Sequence, residues 1–156
     1  MGFYTMGVRA DVVAYDSEGK LALVVEAMDK LGTNSEWAAK MRCNMLVNGY
    51  PSARFFLLAL PDHFYLWKDK PSRNIEKPTY DIDPFALLRP YLEKADIRPE
   101  KLSRAGFELL VASWLNELSQ FGERSEALKK NDHNKWLFES GLLDALKQGR
   151  IVSEAA

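Results

Sequence analysis

Val8-Arg9-Ala10-Asp11-Val12-Val13-Ala14-Tyr15, then Asp16-Ser17-Glu18-Gly19, then Leu21-Ala22-Leu23-Val24-Val25-Glu26: two runs rich in aliphatic and β-branched residues flank a turn-forming tetrapeptide. The pattern predicts a β-hairpin, with Gly19 free to take the positive φ that a short loop often needs. Working outward, Thr33-Asn34-Ser35-Glu36 matches a capping box, in which the threonine hydroxyl and glutamate side chain satisfy free backbone N–H groups. Trp37, Ala38, Met41 and Met45 follow at helical spacing, and Asn48-Gly49 ends that helix. Phe55 to Leu60 is an unbroken apolar run of strand length, as a strand buried on both faces requires. After the Pro61-Asp62 turn, Phe64-Tyr65-Leu66-Trp67 predicts another strand. Strand, strand, helix, strand, strand means an α/β sheet with helical cover.

The second half predicts helices. Lys70 to Pro78, with two prolines and little apolar content, is a loop. Asp83 caps a helix with Pro84 at its first position, running through about Lys94. Phe107, Leu110, Val111, Trp114, Leu118 and Phe121 mark an amphipathic helix. A last helix carries Trp136, Leu137, Leu142, Leu143 and Leu146 and stops at Gly149. The organisation expected is an α/β core over 1–70 and a helical region over 71–156, packed on or beside it.

Composition bounds the function classes. The 156 residues suit one domain, and 47% hydrophobic with 28% charged residues is the balance of a globular chain. Lys plus Arg (21) nearly cancels Asp plus Glu (22), so nucleic-acid binding needs a local patch rather than a global field. One cysteine, Cys43, allows no internal disulfide and fits a reducing cytoplasm. With two histidines, His63 and His133, a Cys/His zinc site is excluded. No apolar run approaches the ~20 residues of a membrane span, and Met1 to Ala10 lacks the anatomy of a signal peptide. A cytoplasmic location without membrane partners is the expectation. The aromatic and leucine content of the last two helices is enough to bury a homodimer surface.

Two carboxylates in the hairpin carry the chemistry. With a four-residue loop, Tyr15 faces Lys20 and Asp11 faces Val24. Glu26 is then on the same face as Asp11, on a diagonal of about 7 Å that lets both acids reach one ion. A three- or five-residue loop reverses that relation. The competing account is a simple cross-strand ion pair, because Arg9 falls opposite Glu26 in the same register.

Arg9-Ala10-Asp11, Leu23-Val24-Val25-Glu26-Ala27-Met28 and the helix from Thr33 to Leu46 resemble the PD-(D/E)xK nuclease superfamily, the restriction-endonuclease-like fold. The likeness is closest to small bacterial relatives of the N-terminal nuclease domain of type I restriction enzyme R subunits, and it covers about Val8 to Lys68. It implies a central mixed sheet flanked by helices, with a helical C-terminal extension. It also implies Mg²⁺ or Mn²⁺ held by Asp11, Glu26 and Ala27, and DNA as the partner. Ala10 stands where the family has proline, and Met28 stands where it has lysine. The stretch before Val8 is too short for the first helix that often contributes a glutamate.

Phosphodiester hydrolysis needs charge neutralisation on the phosphate and an activated in-line water. Mg²⁺ prefers hard oxygen ligands, typically one or two carboxylates with waters and substrate phosphate. A methionine thioether can neither position nor activate the water. Lys30, one pleat step beyond Met28, and Lys40, on the helix beside the Trp37/Met41 stripe, are the candidates to replace the lysine. Each also fits a solvated surface charge. Lys68, Lys70, Arg73 and Lys77 form one modest basic cluster, diluted by Asp69 and Glu76. His63 and Cys43 have no partner signal nearby in sequence. Three functions follow: a metal-dependent nuclease, a catalytically inactive nuclease-fold module that binds nucleic acid or a protein partner, and an interaction protein whose acids only make surface bridges.

Overall fold

The hairpin recurs in the computed structural model, which describes residues 10–70, 72–121 and 126–153. β1 (Val12–Tyr15) and β2 (Leu21–Ala27) are antiparallel, and α1 (Ser35–Val47) crosses over to β3 (Phe55–Ala59), which runs parallel to β2. β4 (Phe64–Lys68) and β5 (Tyr80–Ile82) extend the sheet antiparallel on that side. After α2 (Phe85–Ala95), α3 (Arg104–Phe121), α4 (Glu126–Lys130), α5 (Lys135–Glu139) and α6 (Leu142–Leu146), the chain returns as β6 (Arg150–Ser153), antiparallel beside β1. The six strands lie in the order β5-β4-β3-β2-β1-β6. This is a mixed sheet flanked by helices.

The alternation of side chains along the strands divides the core. Val12, Ala14, Leu23, Val25, Leu57 and Leu66 face Phe107, Val111, Trp114 and Leu118 of α3, together with Trp136, Leu142, Leu143 and Leu146. Val24, Phe56, Leu58, Tyr65 and Trp67 face Ala38, Met45 and Leu46 of α1. β3 is buried at all five positions, as a strand covered on both faces must be. Most of the aromatic and leucine side chains of the last helices are used in the chain's own core, while Leu109 and Phe138 stay exposed. Among the described residues, no helix is long and apolar enough to cross a membrane.

Several local expectations are corrected. Tyr15 pairs with Leu21, not Lys20, and Val12 with Val25. The loop is one residue longer, Asp16–Lys20, because Asp16 Oδ1 accepts the Glu18 and Lys20 amides and its own N–H bonds the Lys20 carbonyl. A bulge between Ala14 and Tyr15 then shifts the register once more. The cap of α1 is Asn34, whose Oδ1 accepts the Trp37 amide at 2.8 Å. Thr33 instead bonds the Tyr65 hydroxyl. Pro84 occupies the N-cap of α2 rather than its first turn. The last expected helix is two short ones, broken at Gly141 with φ +83°. The second half also supplies two strands, so it is not purely helical. Gly149 makes β6 attainable: a methyl there would collide with the Tyr15 carbonyl.

Candidate functional site

Asp11 and Glu26 meet at the open end of the β1–β2 hairpin. Asp11 lies one residue before β1, and the ladder pair Val12–Val25 makes Glu26 its neighbour across the hairpin. Asp11 Oδ2 accepts the Ala27 amide at 2.9 Å, which ties the loop preceding β1 to the end of β2. Glu26 shares its sheet face with Val24, the α1 side, and is only 6% exposed. Arg9, the alternative partner of Glu26, lies outside the described residues.

α3, which covers the other face, sends its first turns to these acids. Arg104 Nη2 is 3.3 Å from Glu26 Oε2 and 3.7 Å from Asp11 Oδ2, and its Nε is 3.4 Å from Glu108 Oε1, one helical turn on. Three carboxyls thus surround one guanidinium. The Asp11, Glu26 and Glu108 side chains are mostly buried, but that of Arg104 is 52% exposed, at the mouth of the site. Sequence reading missed Arg104 and Glu108. Their only signal is i,i+4 spacing on a distant helix, which says nothing about where its end docks.

Burial, then the adjoining Asp11 carboxylate, push Glu26 up to about 7, against the opposing pull of Tyr50 and Arg104. The Tyr50 phenol is raised by its own burial and by Glu26. Glu108 is raised, again by burial first and Asp11 second. Partial burial acts to lower Arg104, but Asp11, Glu26 and Glu108 outweigh it and hold it above its usual value. An acidic pair this crowded is short of positive charge.

Glu26 Oε1 is sealed from solvent without a hydrogen bond of ordinary geometry. The Tyr50 hydroxyl and the Asp11 carboxyl are its polar neighbours, and carboxylate oxygens of this kind are the hard donors that Mg²⁺ and Mn²⁺ take. Asp11 and Glu26 therefore fit Mg²⁺ or Mn²⁺ as a two-carboxylate site. Among the described residues no group of three His, Cys, Asp or Glu side chains is arranged to hold a metal, so waters and a substrate phosphate would have to complete the shell. Ala27 belongs to the same corner, through its amide.

The other candidates are not brought to this corner. The Lys30 ammonium is 5.7 Å from the centre of the Trp37 ring, beyond the end of β2, and Lys40 is exposed on α1. No ion pair joins either to an acid of the site among the described residues. Met28, half-buried, packs with the α1-side core. Lys68 pairs with Phe55 at the start of β3, at the opposite end of the sheet from Glu26, which pairs with Leu58. The basic loop after Lys68 is pinned there by Arg42, which is 2% exposed. It donates to the Lys70 and Ser72 carbonyls, and Phe56 and Trp67 line its guanidinium. Cys43 Sγ donates to the Arg73 carbonyl in the same loop. His63 does have a carboxylate partner, Asp81 at 2.7 Å, and stacks on Tyr65.

Compared with family models, curated proteins and solved structures, the chain finds no match. Its function has to be argued from this corner of the sheet.

Proposed function

We propose that the chain is a nuclease-like protein of the restriction-endonuclease-like type that hydrolyses DNA phosphodiester bonds with Mg²⁺ or Mn²⁺ held by Asp11 and Glu26. One observation carries the reading. Two carboxyls, Asp11 just before β1 and Glu26 near the end of β2, converge at the open end of the antiparallel hairpin, with Glu26 buried there. The resemblance of the hairpin and α1 to the nuclease superfamily supports it. A bound divalent ion supplies charge neutralisation and a more acidic water. The chain's own residues do the rest: Ala27 N–H orients Asp11, and burial on the α1 face holds Glu26 close to it. A lysine relocated to position 30 or 40 gains no support from the contacts of those residues.

The second reading, a catalytically inactive nuclease-fold module that binds nucleic acid or a protein, is favoured by Met28 and by a guanidinium already partnering both acids. Incubation of plasmid and short single- and double-stranded DNA with Mg²⁺ or Mn²⁺ separates the two. The nuclease reading expects cleavage that chelator abolishes and that Asp11→Asn and Glu26→Gln each lower by 10²-fold or more, on the order of losing an essential group. DNA binding without turnover would establish the second reading instead.

A further inference from the structure

We propose that Arg104 binds the substrate phosphate beside Asp11 and Glu26, supplying from α3 the positive charge that Met28 does not supply from β2. The inference rests on the phosphodiester reading above and names the residue that replaces the motif lysine in its electrostatic role.

Four features point to it. Among the described residues Arg104 is the cation that touches both acids, with Nη2 3.3 Å from Glu26 and 3.7 Å from Asp11. Of these two contacts the one to Glu26 is a hydrogen bond and the one to Asp11 is a longer ion pair, so the Asp11 side is where a phosphate oxygen would take over. It is half-exposed over mostly buried carboxylates, so an incoming phosphate meets it before it meets them. Its Nη1 has no partner among the described residues, which leaves one edge of a planar fork free for phosphate oxygens.

The site also keeps the guanidinium in place. Nε stays tethered to Glu108 one turn along, so the fork can turn toward a phosphate without leaving the site. Arginine does not deprotonate at any working pH, so Arg104 cannot act as a base. Its role is to bind and neutralise phosphate.

The test is binding of a fluorescently labelled short DNA duplex, followed by anisotropy across a salt series. Ca²⁺ replaces Mg²⁺ to limit cleavage, and wild type, Arg104→Gln and Arg104→Lys are compared. Arg104→Gln is expected to weaken binding about tenfold and to reduce the slope of log affinity against log salt by about one. Arg104→Lys, which keeps the charge but not the fork, is expected to keep the slope and recover part of the affinity. Mg²⁺ binding by calorimetry is expected to persist or tighten in Arg104→Gln, because a competing cation is gone. Wild-type DNA affinity in Arg104→Gln overturns the proposal. So does a loss of affinity with an unchanged salt slope, which is the signature of a structural role. If Arg104→Gln does not fold, Arg104→Met takes its place and is read in the same way, a lower affinity with a lower slope upholding the proposal and wild-type affinity overturning it. Absence of both DNA and metal binding in the wild type instead refutes the phosphodiester reading, and the inference falls with it.

Discussion

Replacing Glu26 by glutamine should change how the stability of this protein depends on pH. Burial and Asp11 raise the Glu26 carboxyl from 4.5 to about 7 in the folded chain. Because the folded value lies above the unfolded one, the folded state binds the proton more tightly. The stability this contributes is fully present below about pH 4.5 and is lost as pH rises to about 7. At about 1.4 kcal/mol per pH unit, the wild type should lose about 3 kcal/mol across that window relative to a variant with no proton to release. Glu26→Gln keeps the shape and removes the titration. Urea unfolding at pH 4 to 8.5, followed by fluorescence of the four tryptophans in chelator-treated buffer, gives both curves. The variant should gain on the wild type between pH 4.5 and 7 and hold that advantage above. Curves separated by a constant amount at all pH values would refute the claim that Glu26 is buried against a second carboxylate.

Three other perturbations test the parts that hold the site. Gly149→Ala forces a methyl onto the Tyr15 carbonyl and should cost about 1–3 kcal/mol in chemical unfolding, with β6 losing hydrogen-exchange protection first. Arg42→Ala removes a buried guanidinium from under the loop after β4. It should cost about 3 kcal/mol and render residues 72–78 sensitive to protease before the remainder of the chain unfolds. Asn34→Ala deletes the side-chain cap of α1 and should cost about 1 kcal/mol in urea, whereas Thr33→Ala should leave the cap intact.

The placement of Asp11 and Glu26 on one face was legible in the sequence, but through two compensating departures. The five-residue loop reverses the face relation expected from Tyr15–Lys20, and the bulge at Ala14/Tyr15 reverses it again. Parity survives, and the acids end up adjacent across the hairpin rather than diagonal. Neither departure has a strong local signal, because a bulge depends on how the strand twists against its neighbours. β3 and β4 were readable because buried strands leave long apolar runs. β5 and β6 were not: they are short edge strands, three and four residues long, and neither is fully buried. The burial of Arg42 was hidden because a charge on the inner face of α1 blurs the apolar stripe. Arg104 was out of reach for a different reason. Its meaning comes from where α3 ends against the sheet, and that is decided by the packing of Phe107, Val111 and Trp114.

The most direct test of the account is calorimetric titration of Mn²⁺ or Mg²⁺ into the wild type, Asp11→Asn and Glu26→Gln, at pH 6 and pH 8. The account predicts one ion per chain, binding more tightly at pH 8 because Glu26 must release its proton, and no binding to either variant. Absence of binding to the wild type at both pH values, even with a short DNA duplex present to complete the coordination, would contradict it.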